Sequence, residues 1–402
     1  TVIAATGVEY PWLPSGVTLD VFTSSNGNMI PVASQSGYVA WSADLRGDSV
    51  SFNIDNQGLF RRAPDGTVSL LLQKGDQAPE MPEGAVWFSF SPTCLSEDGT
   101  LYFRGQLDFV HGGGGVTQEN DYLAARVAPD GSVTVLAREG FPVPGLPDYS
   151  LTGFSGEASP PPLWPRCNAE GEAVFVHRIT SEGSDEYAIF QVDASGTTSV
   201  LLRTGDPAAG LDGNVELQGF ASSPLINTGG EVAFRATLQT GDGGVYVGTG
   251  ENTALFGPSG GSTSIAMIRE GDLAPGRPEG IFEELNVNTP TTISSSGFVT
   301  FIHDFKYNNW YLGDGLYRHN PANPGVLDAL MVENDPAPGA LEGWTTGTLH
   351  GLTGNAAGRL AVQGNIRFGV DETGDSLFDR EAVWVEDDLG EFVLIAQTEE
   401  AA

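Results

Sequence analysis

Ser69-Leu70-Leu71-Leu72-Gln73-Lys74-Gly75-Asp76-Gln77-Ala78-Pro79 decides the fold, because the chain repeats it. A short apolar run ends in a Gly-Asp turn and a proline-containing tail. The run and turn return as Val135–Gly140, Val200–Asp206, Ala266–Asp272 and Ala329–Asp335, and degenerate copies open and close the chain at Val2–Gly7 and Val393–Thr398. The anchor residues stand at 7, 75, 140, 205, 271, 334 and 398, always 63 to 68 residues apart. A constant period of that kind is the sequence mark of a repeat architecture. Asn334 replaces the glycine of its sister copies, and both residues tolerate positive φ, so the position reads as a tight exit from a strand.

Each interval holds four strand-like segments. In the second repeat these are Val86–Phe90, Thr100–Arg104, Tyr122–Val127 and Val133–Ala137, called a, b, c and d. Ser96-Glu97-Asp98-Gly99 between a and b, and Pro129-Asp130-Gly131 between c and d, are hairpin chemistry. No apolar period near 3.6 is sustained anywhere, so helices should be almost absent. Four antiparallel strands repeated six times describe an all-β, six-bladed β-propeller of four-stranded antiparallel blades. Seven blades is the rival, because seven d copies face six sets of a, b and c. The expected repeats of this single domain are 8–84, 85–149, 150–214, 215–280, 281–343 and 344–402, with 1–7 an extra or ring-closing strand.

The Gly-Asp-x-Ala-Pro-Gly repeat resembles that of secreted bacterial β-propeller repeat proteins, many from aquatic bacteria, along nearly the whole chain. The resemblance implies a propeller fold and an address outside the cytoplasm. It implies no reaction. The Trp-Asp dipeptides of WD40 blades are lacking.

Charge narrows the partners. Against 52 acidic residues stand 18 basic ones, a net charge of -34, and Lys74 and Lys306 are the only lysines. Such a field repels nucleic acid, anionic membranes and acidic polysaccharides at low salt. No apolar run approaches the roughly 18 residues of a membrane span. Thr1-Val2-Ile3 has neither Met nor a basic stretch, as expected of an extracellular or periplasmic protein whose secretion signal has been removed. Cys94 and Cys167 occupy equivalent places in neighbouring repeats, which leaves open a disulfide or two buried thiols.

Within each repeat the a–b turn is short, whereas the b–c and d–a connections read as long and irregular. In a propeller those two emerge on one face, where function is expected. Three features fall there. His177 and His303 share one repeat position that elsewhere holds Ala or Gly, with Arg178, Asp304, Tyr187 and Tyr307 close in sequence. Either imidazole is a candidate general base. The fifth b–c loop, Asp304-Phe305-Lys306-Tyr307-Asn308-Asn309-Trp310-Tyr311-Leu312-Gly313-Asp314, interleaves aromatics with amides and charges, a composition suited to sugar rings. Asp304, Lys306, Asn309, Trp310 and Tyr311 are its candidate ligand contacts. In the sixth, Asp371, Thr373, Asp375 and Asp379 place oxygens in a pattern suited to Ca²⁺, although Ser376 and Ala382 depart from the EF-hand.

No Gly-x-Ser-x-Gly elbow, His-Glu-x-x-His or clustered Cys/His set is present. The leading expectation is a secreted propeller that binds or acts on extracellular carbohydrate, with a glycan or matrix component as partner. The first alternative is a polysaccharide lyase or other glycan-active enzyme. In the lyase, His177 or His303 takes the C5 proton, Tyr187 or Tyr307 serves as acid, and Arg166 or Arg178 neutralises the uronate. The second alternative is a structural module without a small ligand.

Overall fold

A computed structural model of the chain describes residues 3–21, 23–24, 27–28, 31–52, 54–152, 165–181, 183–211, 214–220, 222–240, 252–260, 264–283, 285, 290–308, 310–370 and 376–398. Among them the chain is all-β, without a helix. Six antiparallel sheets follow one another along the sequence, each built on the order a-b-c-d, beside one small hairpin at Thr23–Ser24 and Gly27–Asn28. The sheet count matches six blades. The second sheet consists of Trp87–Leu95, Leu101–Leu107, Tyr122–Val127 and Val133–Arg138, within a few residues of the expected bounds. Close-packed contacts divide the chain into two compact units, Thr1–Arg203 and Thr204–Ala402, with three sheets each.

Inside each unit the core lies between successive sheets. Ala40, Leu59 and Leu72 of the first sheet pack on Trp87, Phe90 and Phe103 of the second. Tyr102, Leu136 and Ala137 of the second pack on Phe175 and Phe190 of the third. In the other unit, Leu255 and Met267 meet Phe282, Phe301 and Tyr317, and Ile302, Leu316 and Met331 meet Val362 and Trp384. Central strands are buried on both faces, as in Leu101–Leu107, where six of seven residues are buried, and aromatic and β-branched residues fill them.

The repeated motif is the hook between sheets. Gly75 N–H donates to Trp87 O at 2.8 Å, and Trp87 N–H returns to Asp76 O at 3.0 Å, pinning the end of one d strand to the next a strand. The same reciprocal pair joins Gly205 and Asp206 to Leu217, Gly271 and Asp272 to Phe282, and Asn334 and Asp335 to Thr346. The turn needs positive φ, met by Gly75 at 87° and Asn334 at 71°. The Asp side chain closes it: a carboxylate oxygen of Asp76 accepts from Gln73 N–H, and one of Asp272 from Arg269 N–H. The alanine two residues on is buried in all four copies.

The surplus d copy now has an explanation. The closing copy, Phe392–Gln397, is the fourth strand of the sixth sheet. Residues 3–7 of the opening copy lie outside any strand, and Gly7 N–H hooks onto Leu19 O of the first sheet. With Gly140, whose N–H donates to Leu151 O at 2.8 Å, six hooks serve the six sheets among the described residues.

Arginines on the c strands add a staple that sequence reading did not single out. Arg61 donates to the carbonyls of Gly99, Ala128 and Pro129 at 2.7, 3.0 and 2.7 Å, tying the first sheet to both turns of the second. Arg126 reaches Ala194 O and Ser195 O of the third sheet likewise. Arg318 forks onto Glu386 at 2.8 and 2.6 Å.

Candidate functional site

The fifth b–c segment is no irregular loop. Val299–Tyr307 and Trp310–His319 form one long hairpin in which Tyr307 faces Trp310 across a two-residue turn. Phe305, Tyr307, Trp310 and Tyr311 all favour extended backbone, and Asn308 takes a φ of 50°, the left-handed setting that two-residue hairpin turns require. Asn309 lies outside the described residues. The hairpin tip presents Trp310 at 77% exposure, Tyr311 at 52% and Tyr307 at 43%.

Below the tip the ladder bulges. Phe305 pairs with Gly313 and Lys306 with Tyr311, so Leu312 is the extra residue. Gly313 has φ 143°, and a Cβ there would lie 2.9 Å from both Cβ and Oε2 of Glu333. The bulge turns Tyr311 inward at its oxygen. Its hydroxyl lies 2.6 Å from Asp314 Oδ1 and 3.0 Å from Glu333 Oε2. Glu333 Oε2 also accepts from Asp314 N–H, and Asp314 Oδ2 from Leu349 N–H. Arg367 pairs with Glu333 and donates to Thr348 Oγ1.

Asp304 stands directly opposite Asp314 across the ladder. Two carboxylates in that position repel unless a proton lies between them. Burial, the hydrogen bond to Asp314 and the charges of Asp314, Glu283 and Glu333 push the Asp304 carboxyl up to about 7. Near neutrality this carboxyl therefore donates as well as accepts. Lys306 Nζ sits 3.8 Å from Glu283 Oε1. Desolvation first, then the surrounding carboxyl groups, push the Tyr311 hydroxyl up, keeping it protonated. The hairpin therefore carries exposed aromatic residues at its tip and, further down, a cluster of hydroxyl and carboxyl groups.

The two histidines lie in separate units. His177, 5% exposed, holds Arg178 O at 2.7 Å through Nδ1. His303, 2% exposed, holds Glu283 O at 3.1 Å through Nε2 and lies against Phe282. Burial drives each imidazole down to about 4, so both are neutral at pH 7. Arg178 pairs across the strands with Tyr187 and reaches Asp185 at 3.3 Å. His177, its chain neighbour, points to the opposite face of the sheet. Arg166 is exposed on the short strand Arg166–Cys167 that flanks Ala173–Ser181. Sequence reading missed Arg104, whose guanidinium lies 4.0 Å over the Tyr122 ring and depresses proton uptake by His177. Its signal was faint, since Arg104 sits inside an otherwise ordinary strand, Leu101–Leu107.

Asp371, Thr373 and Asp375 lie outside the described residues. Asp379 is exposed, 3.4 Å from Asn365 Nδ2 and 3.9 Å from Arg367 Nε. Among the described residues no group of three or more His, Cys, Asp or Glu is placed to hold a metal ion. No helix there is long and apolar enough to cross a membrane.

Residues 3–163 and 159–400 match the Family of unknown function (DUF7453). The chain belongs to that family. No curated protein matches this DUF7453 chain significantly. Among solved structures, it is similar to the polysaccharide lyase Uly1, with 12% identity and a TM-score of 0.43 over 95% of this chain and 84% of that one. It is also similar to the periplasmic gluconolactonase PpgL of Pseudomonas aeruginosa, with 13% identity and a TM-score of 0.30 over 86% and 93%. A family 117 glycoside hydrolase of Zobellia galactanivorans matches at 12% identity and a TM-score of 0.26 over 69% and 78%.

Proposed function

We propose that this protein binds neutral carbohydrate at the tip of the Val299–His319 hairpin. The observation that carries the reading is Trp310, 77% exposed and paired across the ladder with the exposed Tyr307, at the tip of the hairpin that also carries the Asp304–Asp314 pair. An apolar ring left in water on a rigid hairpin is available to stack on the C–H face of a sugar. Further down the hairpin, the half-buried Asp304 carboxyl, able to donate as well as accept, suits a sugar hydroxyl, which does both. The net charge of -34 favours uncharged glycans over uronate or sulfate polymers. The test is titration of tryptophan fluorescence with a panel of neutral oligosaccharides. Saturable quenching by at least one class supports the reading, and a flat response across the panel ends it.

A second reading, a β-eliminating lyase, draws on the first unit, where Arg104, Tyr122 and His177 lie near one another. It requires a buried, neutral imidazole to meet substrate, and the burial of His177 favours binding over elimination. Absence of unsaturated product from every uronate polymer tested would remove it.

A further inference from the structure

Cys94 and Cys167 sit on equivalent a strands of the second and third sheets, inside one compact unit. Cys94 pairs with Tyr102 across its ladder and Cys167 with Ala173 across its own. Both side chains pack against one apolar cluster that includes Tyr102, Ala173 and Phe175. The adjoining turns are already joined: Glu97 N–H points at Ala169 O at 3.4 Å, and Tyr102 Oη donates to Gly171 O at 2.6 Å. The two thiols lie within hydrogen-bonding reach of each other. Neither the hairpin-tip carbohydrate reading nor the lyase reading built on Arg104, Tyr122 and His177 uses the pair.

We infer that Cys94 and Cys167 are a built site for an intrachain disulfide that clips the second sheet to the third. Bringing two cysteines together is the main obstacle to such a bond, and here both thiols lie in one cluster between sheets whose adjoining turns are already tied by hydrogen bonds. The oxidant is a disulfide, either a protein thiol–disulfide oxidoreductase or a small-molecule disulfide. Burial pushes the Cys94 thiol well up, making it the poorer nucleophile. Cys167, beside the exposed Arg166, therefore attacks first. Its thiolate forms a mixed disulfide and expels one thiolate of the oxidant. Cys94 then loses its proton and attacks the Cys167 sulfur, expelling the second. The two thiol protons pass to the two departing thiolates, so two cysteines are oxidised and one external disulfide is reduced.

The bond would enclose strands b, c and d of the second sheet, a long loop whose closure restricts the unfolded chain. The experiment uses the full chain, incubated with oxidised glutathione, alkylated in denaturant and digested without reductant. The expected result is no alkylated cysteine, a peptide linking residues 94 and 167 within one chain, and a melting temperature about 5 °C lower on adding reductant. Two alkylated cysteines, glutathione adducts without the linked peptide, or a link between chains would overturn the inference. A Cys94→Ala/Cys167→Ala variant separates the bond from the packing. Its melting temperature should be insensitive to reductant, and a shift equal to that of the wild type would assign the effect elsewhere.

Discussion

Tyr311 and Asp314 are joined across a β-bulge, the phenol oxygen 2.6 Å from Oδ1 of the acid three residues on. In a regular strand the two side chains would point to opposite faces. Leu312, the extra residue, restores them to one side, and Gly313 leaves room for Glu333 to complete the group. One hydroxyl proton serves two carboxyl neighbours, and one guanidinium, that of Arg367, pairs with Glu333. The cluster therefore holds a further proton, and Asp304 is the group that carries it.

That proton gives the first prediction. Folding raises the Asp304 carboxyl from its ordinary 3.8 to about 7. Between those values the folded chain binds more protons than the unfolded one, so this group's contribution to stability declines as pH rises through the interval. Asp304→Asn, which keeps a donor toward Asp314, should match the wild type near pH 5 and melt higher than it near pH 8. Thermal melts across that range check it, and a constant difference would contradict it.

The histidines act in the opposite sense. Burial lowers His177 and His303 from 6.5 to about 4, so between those values the unfolded chain binds the extra protons. Their contribution is fully present above about 6.5 and is lost as pH falls toward 4. Replacing both with Gln should reduce the steepness of acid destabilisation between pH 6.5 and 4, measured by denaturant midpoints at each pH.

Gly313→Ala tests the bulge. The new methyl would meet Glu333 at 2.9 Å and φ would remain 143°, a destabilisation of about 2–4 kcal/mol. Gly325→Ala, at φ 89° with nothing within 4 Å of the added Cβ, isolates the backbone contribution and should cost about 1 kcal/mol. Chemical denaturation of the two variants should separate them, and equal losses would show that the contact with Glu333 is slack.

Arg61→Ala tests the staple between sheets. Three buried or half-buried carbonyls lose a charged donor, for a loss of about 2–4 kcal/mol. Denaturant unfolding measures it, and Arg61→Lys should recover only part, because one ammonium cannot reproduce the guanidinium fork.

The sheets were legible because each repeat carries its own punctuation. The Gly-Asp turns and short apolar runs such as Leu101–Phe103 act locally, over a handful of residues, so sequence reading finds them. The role of Gly75 and Asp76 as a hook was not legible, since it depends on the carbonyl and N–H of Trp87, supplied by the next sheet. The same holds for Arg61, whose partners lie 38 to 68 residues away. At the candidate site, Asp304, Trp310 and Tyr311 stood out by composition, whereas Asp314, Glu333 and Arg367 did not. Glu333 precedes the turn anchor, like Glu139 and Glu270; a carboxylate oxygen of Glu139 and of Glu270 accepts from an N–H at or beside the start of strand c, and one of Glu333 from Asp314 N–H within its longer strand c. Only the bulge at Leu312 brings Tyr311 onto that shared scaffold. Reading Asp304–Asp314 as a loop failed because the two-residue turn at Asn308 lay hidden among aromatic residues.

The most direct measurement is isothermal titration of a neutral oligosaccharide that quenches the wild type, repeated with Trp310→Ala and with Phe52→Ala, an exposed aromatic in the other unit. The account predicts that Trp310→Ala weakens binding about tenfold or more while the melting temperature stays within a degree or so, and that Phe52→Ala leaves affinity unchanged. Undiminished affinity in Trp310→Ala would contradict it.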